Sequence, residues 1–597
     1  MSEINKRNEI PEEFNWNLKD IFKSDEAWLE EAEALQQFPA KEAALAGKLG
    51  ESAENLLSYY KMSDELEVRV GKFFSYASQK SDENTAESKY QDFKGRAMAI
   101  YVGIAQASAF AEPEIMAIPE ETLQKFYEEQ PALLTYKRNI DKIRKAAEHI
   151  LSPAEEALLA GAAEMANASE NTASLLRDAD LKWPDVTDAK GEKHALTGGT
   201  LTVLLEDPDQ NFRKDVFETY YNRLGEFRNT IAASLDGQFK QLKFFSKARK
   251  FGSTLEASLF NTEVPTEVYH NLIDAVHDNF EPMYKYVRLR KKMLGVDELH
   301  MYDVYAPIVK DAAKVIPFDD AKHTVLAALS VLGEDYTDLL KEGFRSRWID
   351  VYENVGKRGG AYSSGNSRPH PYVLLNHHDN LDSMFTLAHE MGHALHSYHS
   401  TKYQPVNTSD YVIFVAEVAS TCNEVLLMKY LLGQTTDKTE RAYLINHFLD
   451  SFKGTLYRQT RFAEFELMMG QMTEAGETLT ADALCEKYLA LNKLYFGPDM
   501  ISDDGIALEW ARIPHFFFNY YVFQYATGFS AAVAIANRIL EEGAPAVADY
   551  KKFLSGGCSK DPISLLKIAG VDMSTPQPVT SALKLFSELV DELEKLQ

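Results

Sequence analysis

The sequence predicts a mainly α-helical fold with a small β element, on three observations. Apolar residues recur at three- and four-residue spacing, with charges between them, in SDEAWLEEAEALQQFPAKEAALAGKL (24–49) and SALKLFSELVDELEKL (581–596); this is the pattern of amphipathic helices. Helix-start signals are frequent, as at Ser152-Pro153 before AEEALLAGAAEMA and at Pro265-Thr266 before EVYHNLIDAVHDNF. Two stretches break the helical pattern.

The first of these, residues 181–207, carries Gly, Pro and β-branched residues. It reads as a small strand-bearing boundary between an N-terminal helical domain, 1–200, and a C-terminal domain, 201–597. The second, VGKRGGAYSSGNSRPHPYVLLNHHDNLDS (355–383), contains the strand-like run PYVLLN and ends in the helix-start residues Asp382 and Ser383. A strand or hairpin therefore leads into the next helix. A chain of 597 residues has room for two or more cores.

Charge narrows the partners. There are 63 Lys and Arg against 90 Asp and Glu, a net −27, which repels phosphate backbones and excludes nucleic acid. Cys422, Cys485 and Cys558 form neither a disulfide framework nor a CxxC pair. The N-terminus, MSEINKRNEIPEEFNWNLKDIF, lacks the apolar centre of a signal peptide, and no run of eighteen apolar residues offers a membrane span. A reducing cytoplasm is the expected compartment; nothing in the sequence specifies an oligomeric state.

The helix after the second stretch holds TLAHEMGHALHSYHS, residues 386–400. A helix advances about 100° and 1.5 Å per residue, so His389 and His393 lie on one face, roughly 6 Å apart along the axis. Two imidazoles so placed can converge on one metal ion, and Glu390 beside them can take a proton from water held there. Gly392 weakens the helix, which makes sense where another backbone or a substrate must come close. His396 faces the same way as the ligands. It lies about 10.5 Å along the axis from His389, beyond the reach of a shared ion. His399 stands where the pattern HExxHxxGxxH puts a last ligand, but that pattern turns the chain at its glycine, and here the residue is His396.

The third ligand is expected from NTSDYVIFVAEVASTCNEVLLMKYLLG, residues 407–433, with Thr408, Ser409 and Asp410 as caps and Gly433 as a stop. Glu417, Ser420, Thr421 and Glu424 form a polar stripe on this otherwise apolar helix. Carboxylates there are costly unless paired or bound to metal. Glu417 is assigned as the ligand, and Glu424, two turns on, is placed to orient a histidine from behind, with His396 in a similar supporting position. Two His and one Glu leave a fourth position open, as in a catalytic zinc site.

TLAHEMGHALHSY followed by FVAEVASTCNE resembles oligoendopeptidase F, in the thimet oligopeptidase superfamily of zinc peptidases. The resemblance spans roughly residues 200–590 and takes in GKRGGAYSSG, PYVLLNH, RIPHFFFNYYVFQYATGFSAA and SGGCSKDPISLLKIAGVD. It implies one Zn2+ per chain on His389, His393 and Glu417, with Glu390 as general base. The segment with His515, Tyr520, Tyr521 and Tyr525 is similar to a His/Tyr-rich stretch that stabilises the oxyanion and holds substrate. Attack on a peptide carbonyl needs such donors, because negative charge develops on its oxygen. Tyr525 is preferred among them because small residues follow it; Tyr520 is taken as a substrate contact. Gly359, Gly360, Ala361 and Tyr362 precede or enter a strand edge on which an extended peptide could pair, with HPYVLLNHH as the partner strand and His377 and His378 as connectors.

The expected activity is hydrolysis of internal bonds in short unstructured peptides by metal-activated water. The resemblance implies two helical halves flanking a deep cleft that excludes folded proteins. The alternatives are a carboxypeptidase that trims peptide ends and a non-catalytic protein that binds peptide or stores zinc. Retention of Glu390 argues against storage, which needs no base.

Overall fold

The computed structural model describes residues 4–309, 314–365 and 369–597. Asn366, Ser367 and Arg368 of the glycine-rich stretch lie outside them. The described chain is mainly helical, with three small sheets. It forms two compact units: Met1–Glu148, Ala313–Tyr430 and Ile535–Val571 make the first, and His149–Ala312, Leu431–Ala534 and Asp572–Gln597 make the second.

In the first unit the predicted helix at 24–49 is broken into Asp25–Leu35 and Phe38–Ala43. Pro39 explains the break: it tolerates only a position near a helix start. Helix Ala53–Glu83 begins at Ser52, whose hydroxyl accepts from the Asn55 amide at 3.2 Å, and packs along Ser88–Ser108. Between them Trp28 is stacked by Phe73 and Phe93, with centroids 4.3 and 4.1 Å away, and donates its indole N–H to the Phe73 carbonyl. This apolar cluster includes Tyr372 and Leu374, so the N-terminal helices seat the strand that leads to the histidine helix.

That strand, Tyr372–Leu374, is the centre of a three-stranded sheet. It pairs parallel with Ile349–Asp350 and antiparallel with the edge strand Tyr362–Ser364, with Ser363 opposite Val373. The predicted partnership of the glycine-rich segment with PYVLL is observed. One buried carboxylate ties this sheet down. Asp350, 1% exposed at its side chain, meets the Lys357 ammonium at 2.7 Å, and Arg7 Nη1 at 2.7 Å. Burial pulls the pKa of Lys357 down while Asp350 holds it up, with a net lowering.

The strand-bearing stretch predicted at 181–207 contains a two-stranded antiparallel hairpin, Val186–Thr187 with Lys193–His194, and lies within the second unit. Ser152 opens helix Pro153–Ala166 with a capping box, and helix Thr266–His277 begins directly after Pro265. Core helices Arg228–Ala248 and Arg458–Ala475 pack together. A second parallel pair, Leu299–His300 with Met500–Ile501, precedes a 3-10 segment, Asp504–Arg512.

Replacing Asp350 with alanine leaves the fully buried Lys357 ammonium without its ion-pair partner. Denaturant unfolding of Asp350→Ala should show a loss of about 3–5 kcal/mol. A loss below about 1 kcal/mol, the range of exposed ion pairs, would show that the sheet does not lean on this group.

Candidate metal centre

The histidine helix runs from Leu381 to Tyr403. Its start lies ahead of the predicted Asp382 and Ser383: Asn380 accepts from the Ser383 amide at 2.8 Å, and the Ser383 hydroxyl accepts from the His378 amide at 3.0 Å. His378 therefore belongs to the connection into the helix, as expected. Four-residue spacing brings His389 Nε2 and His393 Nε2 to 3.2 Å.

A second helix, Ile413–Gln434, supplies the carboxylates. It starts later than the predicted caps because Val406–Thr408 makes a 3-10 turn of its own. Glu417 Oε2 stands 3.3 Å from His389 Nε2 and 3.4 Å from His393 Nε2. The three atoms form a nearly equilateral triangle. Ligand atoms about 2.0–2.1 Å from a tetrahedral ion are themselves about 3.4 Å apart, so this donor set fits such an ion and leaves one corner open. Among the described residues one other group has converging ligand atoms, Asp188, Glu192 and His194. There Asp188 is already committed to the Lys190 and Glu192 amides of its hairpin turn.

The triangle is held from behind. Glu424 Oε1 lies 3.2 Å from His389 Nδ1; with Nδ1 donating, the Nε2 lone pair faces the other two ligand atoms. The Ser420 hydroxyl donates to Glu417 Oε2 at 3.1 Å. Burial opposes charge on both partners, but contact prevails. Hydrogen bonds with His389 and His393 hold Glu417 well below the usual carboxylate range, and Glu424 and Glu417 hold His389 well above the usual imidazole range. Protons shared in this way are those that a divalent ion displaces.

Glu390 is 6% exposed, and its Oε2 has no hydrogen-bond partner among the described residues. Burial raises its pKa against the opposing pull of His389 and His393. An available oxygen and a pKa shifted towards neutrality suit a general base.

Backbone contact sets the spacing of the two helices. A Cβ on Gly392 would lie 2.6 Å from Ser420 Cα and 2.8 Å from the Ala419 carbonyl oxygen. The close approach that the sequence suggested is therefore to backbone. Asn423, which sequence reasoning missed, locks the register. Fully buried, it donates to the Ala388 carbonyl at 3.0 Å and accepts from the Tyr336 hydroxyl at 3.0 Å.

The remaining histidines of the helix contribute no atom to the triangle. His396, 1% exposed, stacks on Tyr411 with centroids 3.8 Å apart, and burial pushes its pKa down to about 3. His399 is buried near Tyr398 and Tyr403, and burial takes it down to about 4. His377 is likewise buried, between Phe318 and Tyr352.

Near the sheet, Gly359 and Gly360 have open space where a Cβ would be, and Gly360 has φ +80°. Asn376 bonds the carbonyls of Arg358 and Gly360 at 2.9 and 2.8 Å, fixing this loop to the central strand. Ala361 leads into the edge strand. The Tyr362 hydroxyl donates to Asp82 at 2.9 Å and its ring packs on the apolar cluster, so what Tyr362 offers outward is backbone. Gly365 lies against the histidine helix: a Cβ there would meet Ser397 Oγ at 2.0 Å.

His515, Tyr521 and Tyr525 belong to the second unit, where their half-buried rings cluster with centroids 5.4–6.2 Å apart. Tyr520 turns the other way. It is 2% exposed, with φ +61°, and its hydroxyl meets Thr254 Oγ1 at 2.9 Å.

Gly392→Ala should force the helices apart, lowering stability by about 1–3 kcal/mol and lowering the metal bound per chain. Gly433→Ala, on the same carboxylate helix but with nothing within 4 Å, should stay within about 1 kcal/mol of the parent and keep its metal. Thermal unfolding and elemental analysis of both variants check this; equal behaviour would refute the contact.

The sequence matches the model of peptidase family M3 over residues 203–585 and that of Oligopeptidase F over residues 114–183. It is 44% identical to oligopeptidase PepF of Bacillus subtilis, over 100% of this chain and 90% of that protein. It is 38% identical to group B oligopeptidase PepB of Streptococcus agalactiae, over 99% of this chain and 98% of that protein. The solved structure of oligoendopeptidase-F from Enterococcus faecium is 36% identical and superimposes with a TM-score of 0.75, over 96% of this chain and 98% of that chain. A crystal structure from Chlamydophila abortus gives a TM-score of 0.92 at 32% identity, with 100% of each chain covered. The chain belongs to peptidase family M3 and is a metalloendopeptidase of the oligopeptidase F group.

Proposed function

We propose that the protein is a zinc endopeptidase that hydrolyses internal bonds of short, unstructured peptides. The observation that carries this reading is the triangle of His389, His393 and Glu417 with the buried carboxylate oxygen of Glu390, unpartnered among the described residues, beside it. His389, His393 and Glu417 would hold one zinc ion per chain, and zinc supplies a Lewis acid that polarises the scissile carbonyl and lowers the pKa of water. Glu390 accepts the proton of the attacking water at Oε2 and returns it to the leaving amine. Glu424 keeps the His389 ring in the tautomer that presents Nε2. His396, stacked on Tyr411, supports the helix face from behind. His515, Tyr521 and Tyr525 are the proposed donors to the carbonyl oxygen, where negative charge develops. Tyr520 acts on substrate indirectly, by anchoring the turn that precedes Tyr521 and Tyr525.

Peptide is proposed to pair with the edge strand Tyr362–Ser364, entering past Gly359, Gly360 and Ala361. The proposed compartment is the cytoplasm, which suits three free cysteines. No described helix is long and apolar enough to cross a membrane.

Glu390→Gln should retain zinc while turnover falls by about 100- to 10,000-fold. Glu417→Ala should lose zinc, whereas His399→Ala should hold it at the parent's stoichiometry. Elemental analysis paired with single-turnover assays separates these outcomes; an emptied site in His399→Ala with zinc retained in Glu417→Ala would overturn the ligand set.

The substrate class has its own test. An end-blocked quenched peptide should be cut, which a carboxypeptidase cannot do, and the same sequence grafted into a tightly folded host should survive. Comparable rates on both would sink the restriction to unstructured chains and leave the zinc chemistry standing.

A further inference from the structure

The second unit contains a cavity of about 270 Å³ lined by four basic side chains, Lys453, Arg458, Arg461 and Arg512, among apolar and aromatic residues. Their counter-charges are few. Glu509, 3% exposed, accepts Nη2 of Arg458 at 2.7 Å, of Arg461 at 2.8 Å and of Arg512 at 3.1 Å, and the Tyr488 hydroxyl at 2.6 Å. One carboxylate therefore faces three guanidinium groups. Lys453 is paired separately with Asp450 at 2.6 Å. Glu206 also lines the cavity; it is exposed to solvent and interacts electrostatically with Asp450 and Lys453, not with the three arginines. Arg461 is 2% exposed; its Nη1 donates to Asn492 Oδ1, and its Nε, like that of Arg512, has no partner among the described residues. Burial alone would raise the pKa of the lining Tyr305; the field of Arg458, Arg512 and Lys453 brings it below its ordinary value. Buried cations in excess are costly unless a counter-charge arrives.

We propose that this cavity is a binding site for a small oxyanion, a carboxylate or phosphate-like group held by the guanidinium donors that Glu509 and Asn492 leave unused. Guanidinium forks match the paired oxygens of both chemistries. The volume lies below the range of about 300–1,000 Å³ typical for drug-sized ligands, so it suits a single acidic group. The oxyanion has two sources, an acidic residue or C-terminus of a peptide, or a free small anion. Arg458 also acts electrostatically on His515, one of the proposed oxyanion donors, which is the reason to test a peptide-borne group. The peptide source rests on the endopeptidase reading; the free-anion source does not.

Two measurements on the full chain test the site. Thermal unfolding with inorganic phosphate, and separately with glutarate, is compared with sodium chloride at equal ionic strength. Matched quenched peptides with Glu or Gln at each position, and with free or amidated C-termini, are compared by KM. The site predicts a rise in Tm with an oxyanion, a KM about tenfold lower for one acidic peptide, or both. Either effect should vanish in Arg458→Gln and weaken in Arg458→Lys, which keeps the charge without the fork and serves if the glutamine variant does not fold. The KM effect is read as a ratio within each protein, so a general loss of activity cancels. A Tm rise alone assigns the site to free anions; a KM preference alone assigns it to substrate. Absence of both in the parent, or their persistence unchanged in the Arg458 variants, overturns the proposal. Cleavage of the uncharged peptides by the parent keeps the endopeptidase reading distinct from that failure.

Discussion

Two helices meet backbone to backbone at Gly392, and the distances of the candidate metal centre are inherited from that contact. Helix axes ordinarily stay about 8–10 Å apart because side chains fill the interface. Here the histidine helix offers no Cβ, and Ser420 of the carboxylate helix sits directly against it. Glu417 and Glu424 flank that point, one turn before and one turn after, so both carboxylates reach the same imidazole from opposite sides. Asn423 prevents the helices from sliding, since its bond to the Ala388 carbonyl fixes the residue next to His389. Closeness comes from a missing atom and register from a single amide.

The two units carry buried charge of opposite sense. Around the triangle, three carboxylates (Glu390, Glu417 and Glu424) face two imidazoles, an imbalance that favours a cation. Around Glu509, three guanidinium groups face one carboxylate, an imbalance that favours an anion. Neither arrangement is economical as a stabilising device, because buried charges recover their desolvation only when fully matched. By contrast, Asp350 with Lys357 and Arg7 supports the sheet that leads to the histidine helix and lies away from either imbalance in sequence and role.

What could be read from the sequence was what local geometry controls. Helical period alone brings His389 and His393 together, and a carboxylate in an apolar helix needs a reason, which marked Glu417 and Glu424. The hairpin near 186–194 and the pairing of the glycine-rich strand followed from glycines beside β-branched residues. Features set by partners distant in sequence were hidden. Asn423 reads as an unremarked polar residue until Ala388 is seen beneath it. Tyr520 looks like its aromatic neighbours, and only the positive φ at Asn519 and Tyr520 turns it into the core. The helix starts at Asn380 and Ile413 were misplaced because several residues nearby could each cap, and tertiary packing chose among them. Arg458 and Arg461 share one helix and Arg512 shares a 3-10 segment with Glu509, three residues apart in each case, but nothing in either segment announces that the two elements meet.

Gly365 has a consequence for selectivity. It lets the end of the edge strand rest on Ser397, one turn beyond His393, so the strand and the ligand helix share a fixed reference point. A peptide added to that edge would be positioned by its own amides and carbonyls, whose repeat is the same in every sequence. Such an arrangement would work as a ruler laid along the main chain: it would select which bond is presented by counting residues, and leave side chains to modulate the result.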